Sequence, residues 1–136
     1  MACFIDTSLT PGIKYRFIPD YNLHLSDFEN WELSDERNYM NKVLYSTEQQ
    51  LQKIELTYLD EISYEPLSTD WIDSLQTNFF QYRLLVRSNN MNDLYTGKAR
   101  IKLIKNINSQ WAIYFWEDTA IAGNDSSWSL LKARNR

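Results

Sequence analysis

The side chains in this chain that could do chemistry are few and scattered. One histidine, His24, sits among Tyr21, Asn22 and Ser26, with Asp20 and Asp27 near enough in sequence to pair with it as a general base. It lies on no recognisable motif, and a single histidine cannot build a multi-histidine metal site. The one cysteine, Cys3, excludes an internal disulfide; it has no histidine partner at a known catalytic spacing, and burial is its plainer role. No nucleophile elbow, phosphate-binding glycine loop, dinucleotide fingerprint or His-Glu-x-x-His zinc motif occurs. Two acidic pairs outside the expected helix remain, Asp60-Glu61 and Glu117-Asp118. Neighbours on a regular strand point to opposite faces, so neither pair can converge on one substrate. Asp118 shares parity with Tyr114 and Trp116 near a strand end, and is the acid expected at a ligand. Its alternative role is a turn-capping acid beside Trp128.

Aromatic residues carry the remaining binding chemistry. Phe80, Tyr82, Tyr114 and Trp116 fall at period two and can line a concave face with apolar walls and polar handles, although the same spacing suits plain core. The expected ligand-binding set is therefore Phe80, Tyr82, Tyr114, Trp116 and Asp118. No catalytic residue, metal ligand or cofactor is expected. The expected inward strand positions Ile54, Leu56, Phe80, Leu84, Val86, Ala99, Ile101 and Leu103 hold no ionisable group.

These groups need elements to position them. Ile13, Tyr15 and Phe17 alternate with Lys14 and Arg16, predicting a short edge strand over 13–18 closed by Pro19. Ser26-Asp-Phe-Glu29 matches a capping box for a short helical turn. Ser34 is expected as an N-cap with Asp35 and Glu36 behind it, and Tyr39, Met40, Val43 and Leu44 fall at helical spacing, predicting a helix over 34–46. Period two follows: a strand over 51–60, a connection over 61–76, a strand from Phe80 to Arg87, a turn at 89–93 and a strand over 95–106. The strand expected at 110–118 is apolar on both faces, as for a central strand covered on both sides. A turn at 122–125 leads to a last strand over 127–133. Residues 1–136 are read as one α+β domain: a curved antiparallel sheet of about four to six strands packed on at least one amphipathic helix. A small all-β barrel is the runner-up, weakened by the helix.

Composition supports a folded chain, 43% hydrophobic and 15% aromatic. A net charge of −4 argues against a nucleic-acid partner. Arg83, Arg87, Lys98, Arg100, Lys102 and Lys105 gather on two adjoining strands, mostly opposite the apolar residues, as a solvated outer surface. No apolar run approaches the roughly 20 residues of a membrane span, and the first residues lack the basic and apolar regions of a signal peptide. Ala2-Cys3 has no apolar run before it to make a lipoprotein signal.

The pattern W-x-I-x-x-W-x-D followed by S-W-x-x-L-K, carried by Trp111, Ile113, Trp116, Asp118, Trp128, Leu130 and Lys132, resembles the C-terminal part of a nuclear-transport-factor-2-like (NTF2-like, cystatin-like, SnoaL-like) domain. Phe17-Ile-Pro-Asp20, with Trp31, Ser34 and Glu36, resembles the entry strand and helix of exported bacterial members. The resemblance covers about residues 15–133. It implies a sheet wrapped around helices as a cone, and a non-catalytic domain binding a small apolar or amphipathic ligand, or a protein partner, through the concave face. A SnoaL-like isomerase, dehydratase or hydrolase and a homodimerising structural domain are the alternatives it leaves. It also implies export, as a periplasmic protein or lipoprotein, from a longer precursor. Complete domains of that kind begin with a long helix, whereas about twelve residues precede the Ile13 strand here, and Met1 to Asp6 reads as the end of a helix. An N-terminally shortened chain is therefore expected, exposing Ile54, Phe80 and Leu103, and either associating through that face or marginally stable.

Overall fold

The computed structural model describes residues 4–23, 25–45, 51–67, 73–88, 92–124 and 126–136. In chain order the elements are β1 (Arg16–Ile18), α1 (Leu33–Tyr45), β2 (Leu51–Tyr58), β3 (Tyr64–Pro66), β4 (Ser74–Thr77), β5 (Phe80–Ser88), β6 (Asn92–Lys105), β7 (Trp111–Thr119) and α2 (Trp128–Arg134). A single 3-10 turn, Leu25–Phe28, precedes α1, close to the expected capping box. The class is α+β, with both helices contributing to one core on one side of the sheet.

The 14-residue β6 is the spine of the sheet. Antiparallel β7 runs along one side of it; on the other, β5 pairs with Asn92–Ala99 and β4 with Lys102–Ile104. β2 and β3 pair outermost with β5 and β4, so 51–66 and 74–88 make one long interrupted hairpin. β1 adds parallel to β7, with Phe17 beside Trp116. The sheet is thus seven-stranded and mixed, not antiparallel with four to six strands. The surplus is β3 and β4, within and just past the 61–76 connection, where the sequence predicts no more than irregular extended pieces; strands of three and four residues are too short to show a period.

Other expectations are corrected with identifiable causes. Residues 127–133 are not a strand: Trp128, Leu131 and Lys132 are buried at the i, i+3, i+4 spacing of α2, a pattern that seven residues barely separate from alternation. Phe4 is extended rather than a helix end, bridging Ile113, and the Ile5 N–H donates to the Ile113 carbonyl at 3.0 Å. Phe80 is buried in the core that α2 also enters. Leu103 is half-buried and does not join that face: a register shift between Lys102 and Leu103 makes Ile104 the core residue, and Leu103 pairs with Leu75 and Ile113. The cap of α1 is Glu32, whose N–H donates to Asp35 Oδ2 at 2.8 Å, so the helix starts one residue early. Its fully buried residues are Glu36 and Tyr39, while Leu44 faces out. Among the described residues no second layer covers the outer side of β7; Lys102 lies over the Phe115 ring at 4.6 Å and Lys105 over Trp111 at 5.5 Å. Arg83, Arg87 and Lys98 are exposed on that outer side, and Arg100 pairs with Glu117 at 2.6 Å. Cys3, His24 and the centre of the 89–93 turn lie outside the described residues.

Candidate functional site

Most of the buried polar side chains among the described residues gather around α2, Thr10, Ser74 and Thr77 lying elsewhere. Tyr82 on β5 and Asp118 on β7 are separated by β6, which offers only Gly97 and Ala99 between them. A Cβ at residue 97 would stand 2.5 Å from the Tyr82 hydroxyl and 2.8 Å from the Thr119 carbonyl, so a bare glycine lets the phenol cross the strand. The Tyr82 hydroxyl donates to Asp118 Oδ1 at 2.6 Å and accepts the Trp128 N–H at 2.7 Å. Asp118 Oδ2 accepts both the N–H and the hydroxyl of Ser129, at 2.6 and 2.5 Å. Two of the first N–H groups of α2, which no helix satisfies internally, are therefore capped from the sheet. Burial raises the Asp118 carboxyl above its usual range, opposed by its bonds from Ser129 and Tyr82 and by the Lys132 charge. Burial, then the Asp118 charge, pushes the Tyr82 hydroxyl up.

One turn further along α2, Lys132 has 0% exposure. Its ammonium donates to Glu36 Oε1 of α1 at 2.5 Å, and the same oxygen accepts the Tyr15 hydroxyl at 2.6 Å and the Trp31 indole N–H at 2.9 Å. Phe17 and Trp116 present their rings at 3.8 and 4.4 Å from the ammonium, with Tyr39 and Trp31 farther out. Burial pulls the Lys132 pKa down, while Glu36 and Asp118 hold it up. Burial and the Glu36 charge raise the Tyr15 hydroxyl. Strongly shifted acids and bases mark catalytic sites when they face a cleft, and structural ion-pair networks when they do not. Here Lys132 and Asp118 are closed over, and their bonds fasten α1, α2 and the sheet together.

Of the five residues expected to bind a ligand, Tyr82, Trp116 and Asp118 come together, and the Trp128 ring fills the space beside them. It sits edge-on 4.6 Å from Trp116 and 5.4 Å from Tyr82. Phe80 is buried in the same core, edge-on to Tyr58 at 5.6 Å. Tyr114 packs instead with the smaller cluster of Ile5, Ile104 and Ala112. The Lys132–Glu36 pair was visible beforehand only as single letters of the resemblance, since 96 residues separate its members.

Among the described residues, two accessible features bear on binding. A cleft of about 310 Å³, lined among others by Leu9, Pro11, Ile13 and Ile104, contains none of the five expected residues. The second feature is the inner side of β2. Ile54, Leu56 and Tyr58 stand opposite Val86, Leu84 and Tyr82, and so face the core side of the sheet. They are nevertheless 37%, 37% and 53% exposed, and Leu44 and Tyr45 at the end of α1 are exposed too. Among the described residues no group of three or more His, Cys, Asp and Glu could hold a metal, and no helix is long and apolar enough to cross a membrane. Compared with family models, curated proteins and solved structures, the chain matches none.

Proposed function

We propose that this chain is a non-catalytic domain of NTF2-like architecture that binds a protein partner through the uncovered part of its concave sheet face, at β2. The observation that carries the reading is the strip Ile54, Leu56 and Tyr58, in register with half-buried Val86 and buried Leu84 and Tyr82, yet itself more than a third exposed. Apolar side chains at core-facing positions of an edge strand are placed for a surface that another molecule completes. A strand, a helix and then a meander ending in a Trp-rich strand, with both helices on one side, supports the architecture. Trp128 lying against both Tyr82 and Trp116 favours a partner on the open strip over a small ligand deep inside. An enzyme reading would need Asp118 or Lys132 open to a substrate, and both are buried.

An amphipathic anilinonaphthalene sulfonate dye tests the strip directly with dilute protein, at about 0.1 µM. The folded protein is expected to enhance dye emission, and Ile54→Asp with Leu56→Asp to abolish the enhancement while leaving the circular dichroism spectrum unchanged. Dye binding that survives both substitutions would refute this reading.

A further inference from the structure

We infer that the partner of β2 is a second copy of this chain, joined edge to edge by antiparallel pairing of the two β2 strands about Leu56. This rests on the reading of β2 as a binding surface. Among the described residues β2 pairs with β5 alone, which leaves its other edge open. The Leu59 N–H donates to the Gln81 carbonyl at 2.9 Å, in the register that places Thr57 opposite Arg83 and Glu55 opposite Leu85. In an antiparallel ladder hydrogen-bonding direction alternates along the strand. The N–H and C=O groups of Ile54, Leu56 and Tyr58 therefore point out of the open edge. The usual protections against such an edge are proline, charged side chains, bulges, inward-pointing charge or covering structure. β2 has a register shift between Leu51 and Lys53 at its start and Lys53 and Glu55 on its outer side, but its regular stretch carries no proline and no inward charge.

Register decides the occupant. Two copies related by a two-fold axis normal to the sheet keep their inner faces on the same side, so each axis position can be checked by pairing. An axis at Lys53 or Glu55 sets like charges directly opposite, which is destabilising. An axis at Ile54 spends part of its pairing on the irregular start of the strand. An axis at Leu56 uses the regular stretch from Lys53 to Leu59. It sets Leu56 against Leu56 and Ile54 against Tyr58 twice on the inner side, and Glu55 against Thr57 on the outer side, with no like charges opposed. The apolar strips of the two copies then adjoin. Such a contact buries on the order of 800 Å², below the roughly 1,200 Å² at which standard interfaces begin, and is expected to give a weak, reversible dimer.

Sedimentation velocity from 1 to 200 µM is expected to show a monomer–dimer equilibrium, and Leu56→Asp is expected to leave a folded monomer throughout. In a Cys3→Ser background, Leu56→Cys is expected to form a disulfide-linked dimer on mild oxidation, because hydrogen-bonded residues opposite each other lie about 5.5 Å apart, within disulfide reach. Ile54→Cys, facing Tyr58 of the other copy, is expected to cross-link far more slowly. A dimer indifferent to Leu56→Asp, or faster cross-linking at residue 54, would overturn the inference. A monomer at 200 µM whose dye binding still depends on Ile54 and Leu56 would remove the second copy but keep the binding strip. A monomer without strip-dependent dye binding would remove both.

Discussion

Replacing Lys132 by methionine isolates the role of the buried cation. Methionine fills much of the volume of the lysine stem, so the packing between α1, α2 and Phe17 is largely retained. What is lost is the ammonium 2.5 Å from Glu36 and its placement over the Phe17 and Trp116 rings. Removing one member of a buried ion pair leaves the other charge uncompensated, at a cost of roughly 3–5 kcal/mol. Glu36 Oε1 keeps its donors Tyr15 and Trp31, which places the expected value near the lower end, about 3 kcal/mol. Against a typical domain stability of about 5–15 kcal/mol this is a large fraction, and it lowers Tm by on the order of 10 °C. Urea unfolding at pH 7, followed by tryptophan fluorescence and circular dichroism, measures it. The double variant Glu36→Gln with Lys132→Met removes both charges and is expected within about 2 kcal/mol of the parent, since an uncharged pair has little desolvation left to offset. A loss below about 1 kcal/mol for Lys132→Met would refute the reasoning, as would a double variant costing the sum of the two singles.

The remaining expectations use the same unfolding assay. Tyr82→Phe removes one bond to Asp118 and leaves the Trp128 N–H without its acceptor, so a loss of about 1–3 kcal/mol is expected; no loss would mean that α2 docks by packing alone. Gly97→Ala pushes a methyl into the Tyr82 hydroxyl and the Thr119 carbonyl, and overpacking of this kind costs roughly 1–3 kcal/mol; an unchanged midpoint would disprove the crossing of Tyr82 over β6. Tyr15, Tyr39 and Tyr82 all have folded pKa values raised by burial and by nearby carboxylates. Their contribution is whole below the unfolded value near 10 and is lost as pH rises beyond it, by up to about 1.4 kcal/mol per pH unit for each hydroxyl. Lys132, with its pKa lowered, acts oppositely only up to its unfolded value of 10.5, so above that pH stability is expected to fall, and less steeply in Tyr15→Phe. A flat alkaline limb would contradict the burial of these hydroxyls.

Local pattern was enough to set the class and most of the long elements. Period two placed β2, β5, β6 and β7 within a few residues, because each is long enough for its side chains to report both faces. Helical spacing placed α1, though its buried face proved to include the acid Glu36, which no apolar pattern reveals. The aromatic positions Phe80, Tyr82 and Trp116 are buried, and the capping role considered for Asp118 is the contact it makes with the start of α2. Short elements were illegible: β3 and β4 span three and four residues, and the seven of α2 fit alternation and helix almost equally well. What tertiary structure alone decided is which side of each element is covered, and by what. Lys132 becomes a core residue where α1 brings Glu36 to it across 96 positions, and Ile54 stays more than a third exposed although it faces the core side of the sheet. Period reports how a side chain points relative to its neighbours along the chain. Burial depends on what distant segments bring to that face, and an ion pair across such a distance leaves no periodic trace.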